Sequence, residues 1–202
     1  AEPALRERGL RALHVDHGLH PHSGDWADAC RATCETLGLA FEMRRVDLAG
    51  AAGSLEAAAR EARHAALAAM QRPGETIALA HHRDDQAETV LLRLLRGAGD
   101  GLAAMRPLRP FGSGWLWRPL LGTPRAEIEA YARAHGLHWV EDPSNASDRH
   151  DRNYLRHRVM PRLQERWPRA DAALARSAAL LAEQGQLLAG EDARRLAGLQ
   201  GL

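Results

Sequence analysis

Short apolar stretches alternate with longer, helix-patterned stretches through most of this 202-residue chain. The apolar stretches have the length and the residue types of β-strands. They are residues Leu10–Gly18, Ala40–Leu48, Glu75–His82 and Gly114–Leu121. Strands that alternate with helices favour a parallel sheet covered by helices on both faces. We therefore predict an α/β fold with a doubly wound parallel sheet.

The intervening helices are predicted from their terminal residues as well as from their periodicity. The start signals are Ser23, Ser54, and Thr123 with Pro124 in the first turn; the stop signals are Gly38, Pro73-Gly74 and Gly136. A further helix is predicted over about Gln86–Arg96. After Pro161 the chain is rich in Ala, Leu, Arg and Glu, with no further strand pattern. We predict an α/β domain over residues 1–160 and a helical extension over 161–202.

The distribution of charge is more informative than the net charge of +1. Every basic residue other than histidine is arginine, and the arginines are concentrated in two runs. Arg93–Arg125 holds six arginines against one acid, and Arg149–Arg169 holds seven against two. Such runs are typical of a solvated face, but Arg guanidiniums also suit phosphates. The sequence leaves both interpretations open.

Membrane association is not predicted, because no apolar run approaches the ~20 residues that span a bilayer. No signal-peptide pattern stands at the N-terminus either, and we expect a cytoplasmic protein. The two cysteines, Cys30 and Cys34, fall on one helix face with Trp26 and Leu37. We predict that both thiols are buried in this stripe, which fits a reducing compartment weakly.

The segment AHHRDDQAET follows a predicted strand and opens a predicted helix. Asp85 and Glu88 have the spacing of a capping box, with Asp in place of Ser or Thr. Asp84 and Asp85 also lie where a nucleotide-bound Mg²⁺ would sit in such a sheet. His81 and His82 lack a third and a fourth partner, so a histidine metal site is not predicted.

Two further polar segments stand out. His14, Asp16 and His17 end the first predicted strand, where a nucleotide could be held, although a polar strand end is an equally good interpretation. Arg152 and Arg156 are four residues apart, so on a helix they point the same way. Such a pair can clamp a phosphate or belong to a solvated basic helix.

Taken together and in order, these segments resemble one family. The stretches HVDHGLHPHS, AHHRDDQAETVLLRLLRGAGDGLAAM, RPLLGTPRAEIEAYARAHGLHWVEDPSN and DRNYLRHRVMPRL are similar to tRNA(Ile)-lysidine synthetases, over most of residues 10–190. The resemblance implies a Rossmann-like fold of the adenine nucleotide alpha hydrolase type and a PP-loop ATP pyrophosphatase. It implies a ligase that uses ATP and Mg²⁺ to adenylate C2 of the wobble cytidine of tRNA(Ile) with a CAU anticodon. Free L-lysine then attacks C2 and releases AMP.

The resemblance also implies roles for individual residues. Asp85 matches the essential acid, with Asp84 and His81 beside it, and Asp85 is the expected ligand of Mg²⁺ carried on ATP. The implied nucleotide contacts are His14, Val15, Arg152, Asn153 and Arg156. The implied tRNA contacts are Arg96, Arg106, Arg118, Arg149 and Arg158. The oligomeric state, a homodimer among the alternatives, stays open.

One family element is not found in the sequence. Family members begin with a strand and a Ser-Gly-Gly-x-Asp-Ser loop that cradles pyrophosphate on backbone N–H groups. The residues before Leu10 lack this loop and resemble the end of the helix that follows it. We expect a truncated sequence whose missing strand belongs between those near Leu13 and Ile77. We also expect that this chain by itself activates ATP poorly.

Three other functions remain in competition. A tRNA 2-thiolation enzyme of the PP-loop class is the nearest, but such enzymes carry catalytic cysteines, and here Cys30 and Cys34 lie in a helix stripe. A tRNA-binding remnant without chemistry would keep the basic surface alone. A nucleotide-binding module of the universal-stress type explains neither the Asp pair nor the arginine runs.

Overall fold

The computed structural model describes residues 9–48, 55–98 and 100–199. Within them lie five strands and seven α-helices. The strands are β1 (Arg11–Asp16), β2 (Ala40–Arg45), β3 (Thr76–Ala78), β4 (Leu108–Phe111) and β5 (Gly114–Trp117). The helices are α1 (Ser23–Thr36), α2 (Leu55–Met70), α3 (Arg83–Leu95), α4 (Arg125–Ala134), α5 (Asp151–Tyr154), α6 (Met160–Arg166) and α7 (Ala170–Leu199). A π-helical turn, Leu155–Val159, joins α5 to α6.

The chain divides into two compact units. The first holds the described residues up to Thr76 together with Pro110–Trp115, and the second holds Ile77–Arg109 together with the residues from Leu116 onward. The second unit therefore includes both the segment before position 160 and the helices after it. The predicted domain boundary at residue 160 stays a prediction.

The first unit is built on the parallel pair β1 and β2, whose register runs from Arg11 opposite Ala40 to Asp16 opposite Arg45. Helices α1 and α2 both pack against β1. Inside this unit the Arg11 guanidinium binds the two carboxylate oxygens of Glu75, at 2.8 and 2.7 Å, and the Met70 carbonyl at 2.7 Å. It also contacts Glu42. One side chain thus ties the strand to the end of α2 and to the turn after it.

A short turn in the first unit is held by the side chain of Gln71. Its amide nitrogen donates to the carbonyls of Glu75 and Trp115, and its oxygen accepts from the Ser113 N–H. Gly114 lies against this turn so closely that a Cβ there would meet the Glu75 carbonyl oxygen at 2.2 Å. Only glycine fits without a backbone shift.

Strands β3, β5 and β4 form a three-stranded sheet in that order. Strand β3 is parallel to β5, with hydrogen bonds from Trp115 N to Glu75 O and from Leu79 N to Trp117 O. Strand β4 turns back through Gly112-Ser113 to pair with β5, with Arg118 N donating to Pro107 O. The sequence did not predict β4. The predicted α/β class with parallel strands is confirmed, and β4 adds a reversed edge strand to it.

The core of the second unit forms where α3 and α7 pack together. Ala87 and Val90 of α3 and Ala178 of α7 are buried. Arg83 donates from Nε to Asp171 at 2.6 Å, and Asp171 is 5% exposed. Leu94 and Leu95, at the end of α3, are exposed. Among the described residues, no helix is long and apolar enough to cross a bilayer.

The loop after α3 is fixed through its backbone. Gln86 is buried and binds both the N–H and the carbonyl of Met105, each at 2.9 Å. Arg93 donates to the carbonyl of Ala104, whose φ of +50° is rare for a residue with a Cβ. Two side chains of α3 therefore hold the backbone at Ala104 and Met105, just after a 3-10 helical turn over Asp100–Ala103.

Two predicted helix caps are wrong by one position. The N-cap of α1 is His22 and that of α4 is Pro124, in neither case with a side-chain cap hydrogen bond. Ser23 and Thr123 therefore do not cap, and Ser23 is the first residue of α1. The predicted cap at Ser54 lies outside the described residues. Gly38, Gly74 and Gly136 all adopt positive φ, as expected at turns and helix stops.

Candidate active site at the start of helix α3

The N-terminus of α3 is closed by a capping box built from His82 and Asp85. Asp85 Oδ2 accepts from the His82 N–H at 3.1 Å, and His82 Nδ1 accepts from the Asp85 N–H at 3.4 Å. Helix α3 therefore begins at Arg83, and the predicted capping box between Asp85 and Glu88 is wrong. Asp85, at the third position of the helix, is therefore both a capping residue and the predicted acid.

Asp84 links the starts of two helices. Its Oδ2 accepts from the Arg125 N–H, at the start of α4, at 2.9 Å. His82, with Nδ1 3.6 Å from Asp84 Oδ2, and then the Arg125 N–H lower the pKa of Asp84 to about 2. His82 Nδ1 also accepts from the Asp85 N–H, and the Arg125 N–H is the closer of the two groups to Asp84 Oδ2. Asp84 is thus ionised and is used to orient α4.

Glu88, on the inner face of α3, is 1% exposed and lies between two arginines. Arg156 binds it in a bidentate manner, Nε to Oε1 at 2.7 Å and Nη2 to Oε2 at 3.0 Å. Arg152 Nε lies 3.5 Å from Oε2. Burial nevertheless raises the pKa of the Glu88 carboxyl, and the guanidiniums offset this only in part. The two arginines predicted to point the same way do so, and they converge on this carboxylate.

Asp85 shares Arg156 with Glu88. Arg156 Nη2 lies 3.4 Å from Asp85 Oδ1. Arg152 Nη2 donates to Thr89 Oγ1, which in turn donates to the Asp85 carbonyl at 2.7 Å. The Asp85 side chain is partly exposed and that of Glu88 is buried, and the guanidinium of Arg156 contacts both carboxylates.

Asn153, predicted as a nucleotide contact, is buried and holds a loop. Its amide nitrogen donates to the carbonyls of Ser144 and Ser147, at 2.9 and 2.8 Å. Both N–H groups of that amide are thereby used on backbone. The segment that carries Arg152 and Arg156 is therefore braced against residues 144–147, and the predicted nucleotide contact of Asn153 stays a prediction.

His81 and Arg118 meet where β3 and β5 end. Arg118 Nε donates to His81 Nδ1 at 3.3 Å, and Arg118 Nη1 donates to the Arg106 carbonyl at 2.7 Å. Arg118 is 4% exposed, so its guanidinium is used inside the unit. The predicted contact of Arg118 with tRNA stays a prediction, and the burial of its guanidinium disfavours it.

The other arginines predicted to contact tRNA are at the surface. Arg106 and Arg149 are exposed, and Arg96 pairs at 3.3 Å with the equally exposed Asp151. Arg158 donates to Asp148 Oδ2 at 2.7 Å, and His157 binds the other oxygen at 2.8 Å. Those two side chains lower the pKa of Asp148. These surface arginines remain compatible with RNA contact.

His14 and Val15 belong to the first unit, in β1. Both are half-buried, and burial lowers the pKa of His14. The strand ends at the buried Asp16, whose Oδ1 accepts from the Gly18 N–H at 2.8 Å. Of the two cysteines, Cys34 of α1 is buried as predicted and Cys30 is exposed, which contradicts the predicted stripe.

The carboxylates fit a metal ion that arrives on phosphates better than a resident one. In the part of the chain that the structure describes, no cluster of three or more His, Cys, Asp or Glu could hold a metal ion. Asp84 is used on the Arg125 N–H, whereas Asp85 Oδ1 has only the long contact to Arg156. Mg²⁺ is commonly held by one or two carboxylates plus substrate phosphates. Asp85 is the residue that meets this requirement.

Sequence reasoning missed His82 as a cap and Glu88 as part of the network. Glu88 is buried like its neighbour Ala87, but adjacent residues of a helix point about 100° apart, so the apolar period gave no signal for Glu88. A glutamate at an inward position requires a cationic partner, and the Arg152–Arg156 pair supplies it. Histidine is not among the usual capping residues, so composition gave no indication for His82.

Comparison with known proteins places this geometry in context. Residues 3–163 match the PP-loop domain family. A tRNA(Ile)-lysidine synthase of Xanthomonas campestris pv. campestris (strain 8004) is 58% identical over 198 residues, which is 97% of this chain and 46% of that protein. The enzyme of the same name from Pseudomonas aeruginosa is 55% identical over 181 residues, 89% of this chain and 41% of its own length. The chain thus spans just under half the length of these curated relatives.

A solved structure resembles the chain in fold. It is the U34-tRNA thiolase NcsA of Methanococcus maripaludis with its 4Fe-4S cluster, with a TM-score of 0.68. The likeness covers 87% of this chain and 63% of that one, at 18% sequence identity, and therefore concerns the fold. With a family match over most of its length and the α/β fold described above, the chain belongs to the PP-loop domain family.

Proposed function

We propose that this chain carries the catalytic region of a tRNA(Ile)-lysidine synthetase. The proposed reaction joins the ε-amine of free L-lysine to C2 of the wobble cytidine of tRNA(Ile) with a CAU anticodon. ATP first adenylates the C2 oxygen with release of pyrophosphate, and lysine then displaces AMP. The observation that carries the proposal is the 58% identity, over 97% of this chain, to a protein of that name. We further propose a cytoplasmic location and leave a homodimer as one oligomeric state to test.

The arginines suit a reaction between anions. The contacts of Arg156 to Glu88 and Asp85 use Nε and Nη2, which leaves Nη1 for a phosphate oxygen. Glu88 holds both guanidiniums in place before any ligand arrives. Such preorganisation strengthens electrostatic stabilisation, because little reorganisation is needed when charge develops.

Asp85 is the proposed acid–base residue. Attack on C2 requires a neutral lysine amine, so a carboxylate close to the reacting atoms must take up a proton. Asp85 lies in the first turn of α3, after β3, and its Oδ1 makes a long contact of 3.4 Å to Arg156. Mg²⁺ carried on ATP would neutralise phosphate charge, with Asp85 as its protein ligand.

The test uses labelled lysine and a full-length frame. We would replace the matching segment of the Xanthomonas campestris relative with this chain and incubate the chimera with ATP, labelled L-lysine and tRNA(Ile). We expect ATP-dependent lysine incorporation that disappears when the wobble cytidine is replaced. Asp85→Asn should lower the rate by at least about 100-fold, because general acid–base catalysis contributes about 10²–10⁴-fold. Asp28→Asn, at an exposed aspartate of helix α1, is the matched control outside the network.

Failure of the chimera under conditions where the relative is active would contradict the proposal. The same reaction mixtures, analysed by mass spectrometry, also test the thiolation alternative, since a sulfur-containing nucleoside would point to it. Salt-dependent tRNA binding with neither product would favour a binding remnant.

A further inference from the structure

We propose that Arg118 is a positioning residue that fixes His81 as a hydrogen-bond donor through Nε2, so that His81 does not act as the proton acceptor of this site. A guanidinium has five N–H donors and no acceptor. A hydrogen bond from Arg118 Nε to His81 Nδ1 therefore requires a lone pair on Nδ1. A neutral imidazole with its lone pair on Nδ1 carries its proton on Nε2.

Two further hydrogen bonds fix the position of Arg118. Its Nη1 donates to the Arg106 carbonyl at 2.7 Å, and its own backbone N–H donates to the Pro107 carbonyl at 2.7 Å. The side chain is 4% exposed, so water cannot replace these partners. The guanidinium is consequently held in one place, and the lone pair of His81 Nδ1 must meet it there.

The fold brings the two side chains together. The Leu79 N–H donates to the Trp117 carbonyl, which keeps the ends of β3 and β5 side by side. Arg118 follows the last residue of β5, and His81 lies just before the N-cap His82 of α3. His81 thus stands at the carboxyl end of a strand, where ligands of open α/β sheets bind.

Two consequences separate His81 from its neighbour Asp85. Protonation of His81 at Nδ1 would place an N–H against a guanidinium N–H and break the hydrogen bond. A donor at Nε2 can serve an oxygen of a bound nucleotide but cannot accept the lysine proton. This second statement rests on the proposed function, whereas the tautomer of His81 does not.

The tautomer is tested on the chain without any activity assay. Long-range ¹H–¹⁵N correlation spectra of ¹⁵N-histidine-labelled protein distinguish the two neutral tautomers and the imidazolium, and His81→Gln identifies the His81 signals among the 11 histidines. At neutral pH we expect the Nε2–H form in the wild type. Either the Nδ1–H form or the imidazolium would overturn the proposal, and this measurement needs no folded variant at position 118.

The role of Arg118 is tested by substitution. Arg118→Gln should shift His81 towards a mixture of tautomers, and Arg106→Gln, which keeps the acceptor carbonyl, should leave its signals unchanged. If Arg118→Gln does not fold, Arg118→Lys provides the second variant, since an ammonium cannot bridge both acceptors in the same way. A folded variant in which His81 retains the wild-type spectrum would overturn the role of Arg118.

The chemical role is tested in the chimera. The amide nitrogen of glutamine can occupy the place of Nε2–H, whereas that of asparagine lies nearer Nδ1. We expect His81→Gln to keep most of kcat/KM, and His81→Asn and His81→Ala to lose about 10- to 100-fold, as for a lost hydrogen bond to a charged group. Equal losses in all three variants would contradict the donor role. An inactive parent chimera would instead count against the proposed function and leave the spectra standing as evidence.

Discussion

Each unit of the molecule contains a glutamate held by two nitrogens of one arginine, and the two pairs behave differently. In the first unit Arg11 binds Glu75, whose side chain is 25% exposed, and this hydrogen bond lowers the pKa of Glu75 to about 2. In the second unit Arg156 binds Glu88, which is 1% exposed, and burial raises the pKa of Glu88. The geometry is alike, and the degree of burial decides the sign of the shift.

The difference in burial indicates a different role for each of the two ion pairs. Arg11 has its donors used on Glu75, Glu42 and the Met70 carbonyl, and its carboxylate partners still reach water. That arrangement stabilises a strand. Glu88 is desolvated beside Asp85 and depends on its arginines to remain charged. Charge that is held in place at a desolvation cost is typical of functional sites.

The largest effect should come from removing Arg156. Arg156→Met leaves Glu88 buried with Arg152 as its remaining ion-pair partner, at 3.5 Å. Breaking a buried pair from one side costs about 3–5 kcal/mol of unfolding free energy. Urea unfolding measures this loss, and the double variant Arg156→Met with Glu88→Gln should recover much of it. A loss below about 1 kcal/mol, or no recovery in the double variant, would contradict the assignment of Glu88 as a charge that needs its partner.

A smaller loss is expected for Arg11→Met. Glu75 and Glu42 can turn to solvent, so the cost is chiefly that of hydrogen bonds to charged groups, about 1–3 kcal/mol. Arg44→Met is the matched control, because Arg44 is exposed on the neighbouring strand β2 and should change the unfolding free energy by less than about 0.5 kcal/mol. If Arg11→Met costs as much as Arg156→Met, the distinction between the two pairs fails.

The pH dependence of stability should have opposite signs in the two pairs. The folded-state pKa of Glu75 is depressed from 4.5 to about 2, so its contribution is present above pH 4.5 and is lost as pH falls through about 2. The full shift is worth about 3 kcal/mol at about 1.4 kcal/mol per pKa unit, and solvent screening reduces this to about 1–2 kcal/mol. On acidification, the unfolding free energy of the wild type should therefore fall by about 1–2 kcal/mol more than that of Glu75→Gln.

Glu88 is the internal contrast in the same titration. Its folded-state pKa is raised, so its contribution is fully present below pH 4.5 and is lost as pH rises through the folded-state pKa. Relative to Glu88→Gln, wild type should therefore become less stable as pH rises from 4.5. Urea midpoints measured across the acid range give both differences, and parallel curves for the two variants would be inconsistent with the contrast.

Much of the fold followed from periodicity, and the exception is instructive. The alternation of strand and helix predicted β1, α1, β2 and the helices after Pro161, all of which form. Strand β4 was missed because Pro107 and Pro110 are typical of loops. Proline is tolerated on an edge strand, which is where the order β3-β5-β4 places it.

The site was predictable in position and less so in partners. A polar segment at the end of β3 located Asp85, and the four-residue spacing located Arg152 and Arg156. Glu88 was assigned to a capping box from its spacing to Asp85, and Arg118 to tRNA contact from the family resemblance. Glutamate and arginine are rarely fully buried, so neither assignment indicated burial. Which charges are buried depends on long-range packing, such as that of residues 151–159 against α3, and a local pattern does not carry that information.

Substitution of Arg96 should have the smallest effect on stability and a separate effect on tRNA binding. Its pair with Asp151 is exposed on both sides, with side chains 68% and 75% accessible, so Arg96→Gln should change unfolding by less than about 0.5 kcal/mol. If Arg96 contacts a tRNA phosphate, the same variant lowers the slope of log affinity against log salt by about 0.7–0.9. Fluorescence anisotropy with labelled tRNA(Ile) over a range of salt measures that slope.

The matched control is Arg162→Gln. Arg162 pairs with Glu165 at 3.1 Å, is equally exposed and is not among the arginines predicted to contact tRNA. Because both variants remove one surface charge, net charge alone should affect them equally, and a larger slope change for Arg96→Gln isolates a local phosphate contact. Equal slope changes would reduce Arg96 to a member of a solvated basic face. In that case the contrast between buried and exposed arginines would concern stability alone, and the RNA surface would have to be sought at Arg106, Arg149 or Arg158.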